Sequence, residues 1–168
     1  MTERVPLVEG VVSQNREYLI TKVERMGHEI KLEGGANGQI SAEYQGNLRC
    51  KATHEPSGAT LITDAPVDNM GKGESFSPTD LLATSMLTCI MTIVAIRADS
   101  RGIDVSQMSG NVEKTMSSNP RRISKLEVVI NLPSDLKLED RSWLITEGCN
   151  CPVCLSVSET MEVDVSFQ

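Results

Sequence analysis

Three observations predict an α+β fold. Strand-like segments come in runs instead of alternating singly with helices. One long stretch, Leu81 to Ile96, carries no charge over sixteen residues and is apolar around almost its whole circumference. Clean period-two alternation returns late in the chain, in Leu126, Val128, Ile130 and Leu132, and again in Met161, Val163, Val165 and Phe167. The expected order is βββ-α-ββ-α-β, and 168 residues suffice for one domain with a sizeable core.

The elements follow in order. Residues 17–32 read as a hairpin around Met26-Gly27-His28, and Gly34 to Gly38 is a break. Ile40, Ala42 and Tyr44 alternate with polar residues up to a Gly46-Asn47 turn. Leu48, Cys50, Ala52 and His54 alternate with Arg49, Lys51 and Thr53, so Leu48 and Cys50 are expected on the core face and Arg49 opposite. Pro56-Ser57-Gly58 turns the chain into Ala59–Thr63, which completes an antiparallel meander. After a polar loop from Asp68 to Ser75, Ser77 caps a helix with Pro78 first and Asp80 third. Ser-x-x-Asp imitates a capping box, and Asp80 complements the helix dipole. The helix is expected to reach about Ala98, with Gly102 ending it. A helix apolar on all sides must be buried on all sides, which one small meander cannot provide. Burial against a second copy of the chain is the physical inference. Strands over Met108–Met116 and Ile123–Leu132, a helix over Glu139–Glu147, a short helical turn at Cys151-Pro152 and a last strand complete the chain.

Composition excludes several classes of function. The net charge of −7 speaks against nucleic acid and against an anionic membrane surface. The uncharged run reads as too short and too polar to span a bilayer. The first residues show no apolar signal core, and five cysteines is an odd number, so reduced thiols in the cytoplasm are expected. Aromatic residues are only 3%, so the core must be aliphatic and Met-rich.

Two cysteine settings stand out. Cys89 closes Ser77-Pro-Thr-Asp-Leu-Leu-Ala-Thr-Ser-Met-Leu-Thr-Cys89, and Cys151 lies in Asn150-Cys-Pro-Val-Cys154. A thiol in a buried helix is ordinarily an inert packing residue; paired with a second thiol before a helix-starting proline, it fits an attacking thiol and its resolving partner. With Gly71 to Cys89, Cys151-Pro-Val, Tyr44-Gln-Gly-Asn-Leu-Arg49, Ser57-Gly58, Thr63-Asp-Ala-Pro66 and Pro120-Arg-Arg-Ile123 in the same order, the chain resembles the OsmC/Ohr family, the osmotically inducible and organic hydroperoxide resistance proteins. The resemblance covers roughly Tyr44 to Phe167. It sets residues 41–168 apart as an OsmC-like domain and leaves 1–40 as an N-terminal extension.

The resemblance implies antiparallel sheets wrapped around a long central helix in an intertwined homodimer. It implies that Cys89 attacks a hydroperoxide and that Cys151 resolves the product. It also implies that Arg49 is the catalytic arginine, whose alternative is a solvated strand charge. A helix dipole fades after the first turn, so Cys89 needs such a cation to lower a pKa of about 8.5. Hydroperoxide-resistance members carry a Glu where this chain has Thr79; Asp80 and Glu74 are the nearby accessory candidates. Cys154 stands where the family usually has Ala or Ser, so Cys151-Pro-Val-Cys154 also reads as a CxxC redox motif, although chain order excludes a thioredoxin fold.

The function expected is a thiol peroxidase with no cofactor. Its partners are a small-molecule hydroperoxide, preferably organic because the surroundings are apolar, and an external thiol reductant. The competing reading is a non-catalytic dimer that binds a small apolar ligand, or a metal through Cys149, Cys151 and Cys154 with Cys50, Cys89, His28 or His54 as a fourth ligand.

Overall fold

The computed structural model describes residues 3–6, 39–157 and 161–168. The hairpin expected over 17–32, with His28, and the glycine-rich break after it lie outside the described residues. The strands are β1 Glu3–Pro6, β2 Ile40–Gly46, β3 Arg49–His54, β4 Ala59–Asp64, β5 Ser109–Ser118, β6 Arg121–Asn131 and β7 Glu162–Phe167. The α-helices are α1 Pro78–Asp99, α2 Leu138–Cys149 and α3 Pro152–Val157, and a 3-10 turn covers Val67–Asn69. The fold is α+β, with the strand runs and helices in the order the sequence predicts. β1 is an addition: it lies within residues 1–40 and pairs antiparallel with β7.

The chain forms two compact units, with the boundary just inside α1 after Leu81. The larger unit holds a four-stranded sheet in the order β1-β7-β6-β5. One expectation is corrected here. The sheets are not wholly antiparallel, because β6 and β7 run parallel, from Lys125↔Glu162 to Ile130↔Phe167. The connection between them contains α2 and α3, and a parallel neighbour requires such a crossover.

The core of this unit follows the alternation. Leu126, Val128, Ile130 and Leu132 of β6 and its continuation are buried, as are Val163, Val165 and Phe167 of β7. Against them α1 turns Ala83, Met86, Ile90, Val94 and Ala98, a stripe at near-helical spacing. Gly148 lets α2 approach closely, since a Cβ there would meet Val94 Cγ2 at 2.9 Å and Phe167 Cζ at 3.2 Å.

Within one chain α1 is therefore buried along one stripe, not all round; Ile96 remains 57% exposed. Its hydroxyls are satisfied inside the helix. Thr88 and Thr92 donate to the carbonyls of Thr84 and Thr88, each at 2.8 Å, and Ser85 to that of Leu82 at 2.7 Å. By length and composition alone α1, with 22 residues, is long and apolar enough to cross a bilayer, being longer than the sixteen uncharged residues at its centre. Its buried stripe nevertheless belongs to the core of a folded unit.

The smaller unit holds the antiparallel meander β2-β3-β4. Here Leu48 departs from its expected place on the core face. Gly46, Asn47 and Leu48 all adopt positive φ, at 82°, 52° and 62°, so Leu48 belongs to the turn and is 43% exposed. β3 begins one residue later, at Arg49.

Candidate functional site

The thiol cluster is assembled from the two ends of the larger unit's sequence. Cys89 rides on α1 and is half-buried. Cys151 directly precedes α3 and is fully buried, and Cys154 lies in the first turn of that helix, also fully buried. The local fold explains the pairing. Pro152 starts the helix, where its missing N–H is not needed, and the Cys151 carbonyl accepts the Leu155 N–H at 3.1 Å. The Cys151 Sγ takes the place of a capping oxygen and accepts the Cys154 N–H at 3.3 Å. The Cys154 thiol is also within 3.0 Å of Met86 Sδ on α1.

The three sulfurs share one proton-sensitive network. Cys151 lies well below the ordinary thiol range, at about 6, chiefly through the neighbouring Cys154 side chain. The Cys154 amide and the Cys89 thiol add to that effect against the cost of burial. Cys89 is pushed up, first by burial and further by Cys151, while the Val153 N–H partly offsets this. Cys154, whose thiol donates to Met86 Sδ, is pushed up strongly by the neighbouring Cys151 and by its own burial. Cys149 is pushed up to about 11 by burial and by the charge on Cys151. Of these thiols Cys151 is thus the most readily ionised, whereas Cys89 is only half-buried. All five cysteines are free. Among the described residues, no three His, Cys, Asp or Glu side chains are arranged to hold a metal ion, so the Cys149, Cys151 and Cys154 metal reading finds no support in the geometry.

The arginine cluster belongs to the smaller unit. Arg49 pairs across the sheet with Asp64, which puts both on one face. The guanidinium Nη2 donates to Asp64 Oδ2 at 3.2 Å and also to Glu74 Oε2. Both carboxylates raise the arginine's pKa, Glu74 the more, so its charge is permanent. Asp64 is fully buried and organises the loop that carries Glu74. Its Oδ2 accepts the Glu74 N–H at 2.9 Å, and its own N–H donates to the Phe76 carbonyl at 3.1 Å. The Glu74 N–H first, then Arg49 and the Lys72 backbone, hold the Asp64 carboxyl below its usual range against the cost of burial. Gly71 permits the fold, because a Cβ there would fall 1.7 Å from the Ala65 carbonyl oxygen. Arg49 Nε and Asp64 Oδ1 are buried without a hydrogen-bond partner among the described residues.

The sequence analysis missed Asp64 as a site residue. The signal lay in its place opposite Arg49, which only the strand register reveals. It also missed the strained backbone just before Arg49, where a non-glycine residue such as Leu48 at φ 62° costs roughly 1–2 kcal/mol. Asp80 resolves differently from Glu74. It accepts the Ser77 N–H at 2.8 Å and donates its own N–H to Ser77 Oγ at 3.1 Å, a reciprocal cap for α1. Ser77 Oγ also lies 3.0 Å from Thr79 Oγ1.

Comparison with known proteins bears on the family and the fold. A family model described as OsmC-like protein matches residues 71–166. No curated protein matches the chain. Among solved structures, a Psychrobacter arcticus 273-4 protein, provisionally described as an osmotic stress induced and detoxification response protein, is 37% identical, with a TM-score of 0.72 over 83% of this chain and 100% of its own. An organic hydroperoxide resistance protein OsmC of Legionella pneumophila is 15% identical, with a TM-score of 0.67 over 81% of this chain and 99% of its own. The organic hydroperoxide resistance protein OhrB of Bacillus subtilis is 16% identical, with a TM-score of 0.57 over 79% and 98%. The last two share the fold.

Proposed function

The chain belongs to the OsmC-like family, and from that premise we propose that it is a thiol-dependent peroxidase that reduces organic hydroperoxides. The observation that carries the reading is that Cys89 on α1 and Cys151 before α3, more than sixty residues apart in sequence, lie close enough for each to shift the other's proton affinity. Cys89 is the accessible member and attacks; Cys151 is buried and resolves.

Resting protonation fits a division of labour. Cys89 donates its proton toward the Cys151 thiolate, so the base that activates it is already in place. The Cys89 thiolate attacks the O–O bond, an alcohol leaves, and a sulfenic acid remains on sulfur. Cys151 attacks that sulfur, expels water and forms a disulfide, which an external thiol reduces. Arg49 is assigned the role of stabilising the Cys89 thiolate and orienting the peroxide oxygen, with Glu74 holding the guanidinium from the loop where the family Glu would otherwise act. Two copies of the chain form the working unit, because α1 and the meander both leave apolar side chains uncovered. No step needs a cofactor.

One observation favours a second reading, a non-catalytic dimer that binds a small apolar ligand with inert thiols: burial pushes the Cys89 thiol up. Turnover of tert-butyl hydroperoxide with a dithiol reductant separates the two. The expected result is rapid consumption by wild type and loss of activity in Cys89→Ser. Arg49→Ala should raise the Cys89 pKa by ~1–3 units, as expected when one close opposite charge is lost, and turnover should fall in parallel. Consumption no faster in wild type than in Cys89→Ser would establish the inert-thiol reading instead.

A further inference from the structure

We propose that Cys154 is a third redox thiol, which takes the disulfide over from Cys89 by closing a Cys151–Cys154 bond and returns Cys89 to its reduced form. The proposal rests on the peroxidase reading for its oxidant, an organic hydroperoxide. Its basis is that Cys151 has two thiol neighbours at once. Cys89 and Cys154 both neighbour the same sulfur, each shifting its proton affinity, and the Cys154 N–H donates to it at 3.3 Å. Cys151 and Cys154 are one helical turn apart, a separation that a disulfide spans. Both are fully buried.

The steps balance. Cys89 thiolate attacks the hydroperoxide; the O–O bond breaks, an S–O bond forms, and the alkoxide leaves with a proton as alcohol. Cys151 thiolate then attacks the Cys89 sulfur; the S–S bond forms, the S–O bond breaks, and hydroxide leaves with a proton as water. Finally Cys154 gives up its proton and attacks Cys151 Sγ. The Cys151–Cys154 bond forms, the Cys89–Cys151 bond breaks, and Cys89 leaves as a thiolate that takes up that proton. Overall one hydroperoxide is reduced by two electrons and two thiols become one disulfide.

The network also times the last step. In the resting protein the neighbouring Cys151 thiolate keeps Cys154 protonated and therefore unreactive. Once Cys151 is tied up in a disulfide that negative charge is gone, and Cys154 loses its proton more readily, against the remaining cost of burial.

The test uses the fully reduced full-length protein, with one and then two equivalents of tert-butyl hydroperoxide. Acid quenching, alkylation and peptide mapping locate the bonds, and dimedone traps sulfenic acid. The expected wild-type course is an early Cys89–Cys151 bond that converts to Cys151–Cys154 with Cys89 alkylatable. A second equivalent then leaves dimedone-labelled Cys89. Cys154→Ser should stop at the Cys89–Cys151 bond and give no adduct. A wild-type Cys89–Cys151 bond that persists overturns the relay and leaves the peroxidase reading standing. A Cys151–Cys154 bond that forms equally fast in Cys89→Ser also overturns the relay. Absence of any hydroperoxide consumption overturns both.

Discussion

The larger unit buries Met86, Ile90, Leu126, Ile130 and Leu144 completely, whereas the smaller unit buries Thr63, Asp64 and Ser77 and leaves Ile40, Tyr44, Ile62 and Phe76 largely exposed. The same chain therefore holds one candidate site by apolar packing and the other by a polar hub. Packing places the thiols with little freedom, because close-packed interiors resist displacement. The hub places Arg49 and Glu74 through a few directed bonds to one carboxylate, an arrangement that a single substitution can undo. The uncovered side chains of the meander are also what a second copy of the chain would bury, and a three-stranded sheet gains most of its stability from such a face.

The contrast can be broken most severely in the larger unit. Leu126→Ala, at a fully buried position, should cost about 2–5 kcal/mol in urea unfolding. A loss below about 1 kcal/mol would mean that this core is looser than its burial indicates.

A smaller effect sharpens the thiol side. Cys151 sits at about 6, and the Cys154 thiol is the largest cause. Its ultraviolet thiolate absorbance should be present at neutral pH and disappear as pH falls through about 6. Cys154→Ala should move that midpoint up toward the ordinary thiol value of 9.0. The linkage has a definite sign. A lowered folded-state pKa stabilises the protein fully above the unfolded value, and this contribution is lost as pH falls toward 6. An unmoved midpoint in Cys154→Ala would remove Cys154 from the network.

The smallest effect is local to the hub. Asp64→Asn should loosen the loop without unfolding the chain, and limited trypsin digestion should then cut faster after Lys72, two residues before Glu74. Acid should act in the same direction on wild type. The Asp64 pKa lies below its usual value, so its stabilising contribution is present above about 3.8 and lost as pH falls through the folded value. Equal cleavage rates at Lys72 in both proteins would show that Asp64 does not organise the loop.

The sequence by itself determined the elements whose cause is local. The α1 cap was legible because Ser77 and Asp80 bond across one turn, and the β6 face because Leu126, Val128 and Ile130 repeat with the period of a strand. The CxxC spacing at Cys151 and Cys154 was legible for the same reason. Only the tertiary structure decided what depends on contacts distant in sequence. These include the parallel pairing of β6 with β7, the register that sets Asp64 opposite Arg49, and the neighbourhood of Cys89 and Cys154 around Cys151. The displacement of Leu48 into the turn belongs with them, because its positive φ is tolerated only where surrounding bonds hold it, here its carbonyl accepting the Ala65 N–H at 3.2 Å. Local pattern fixes which face a residue turns, but not which residue it will meet there; that is settled when the chain closes on itself, and with it the protonation of every buried thiol.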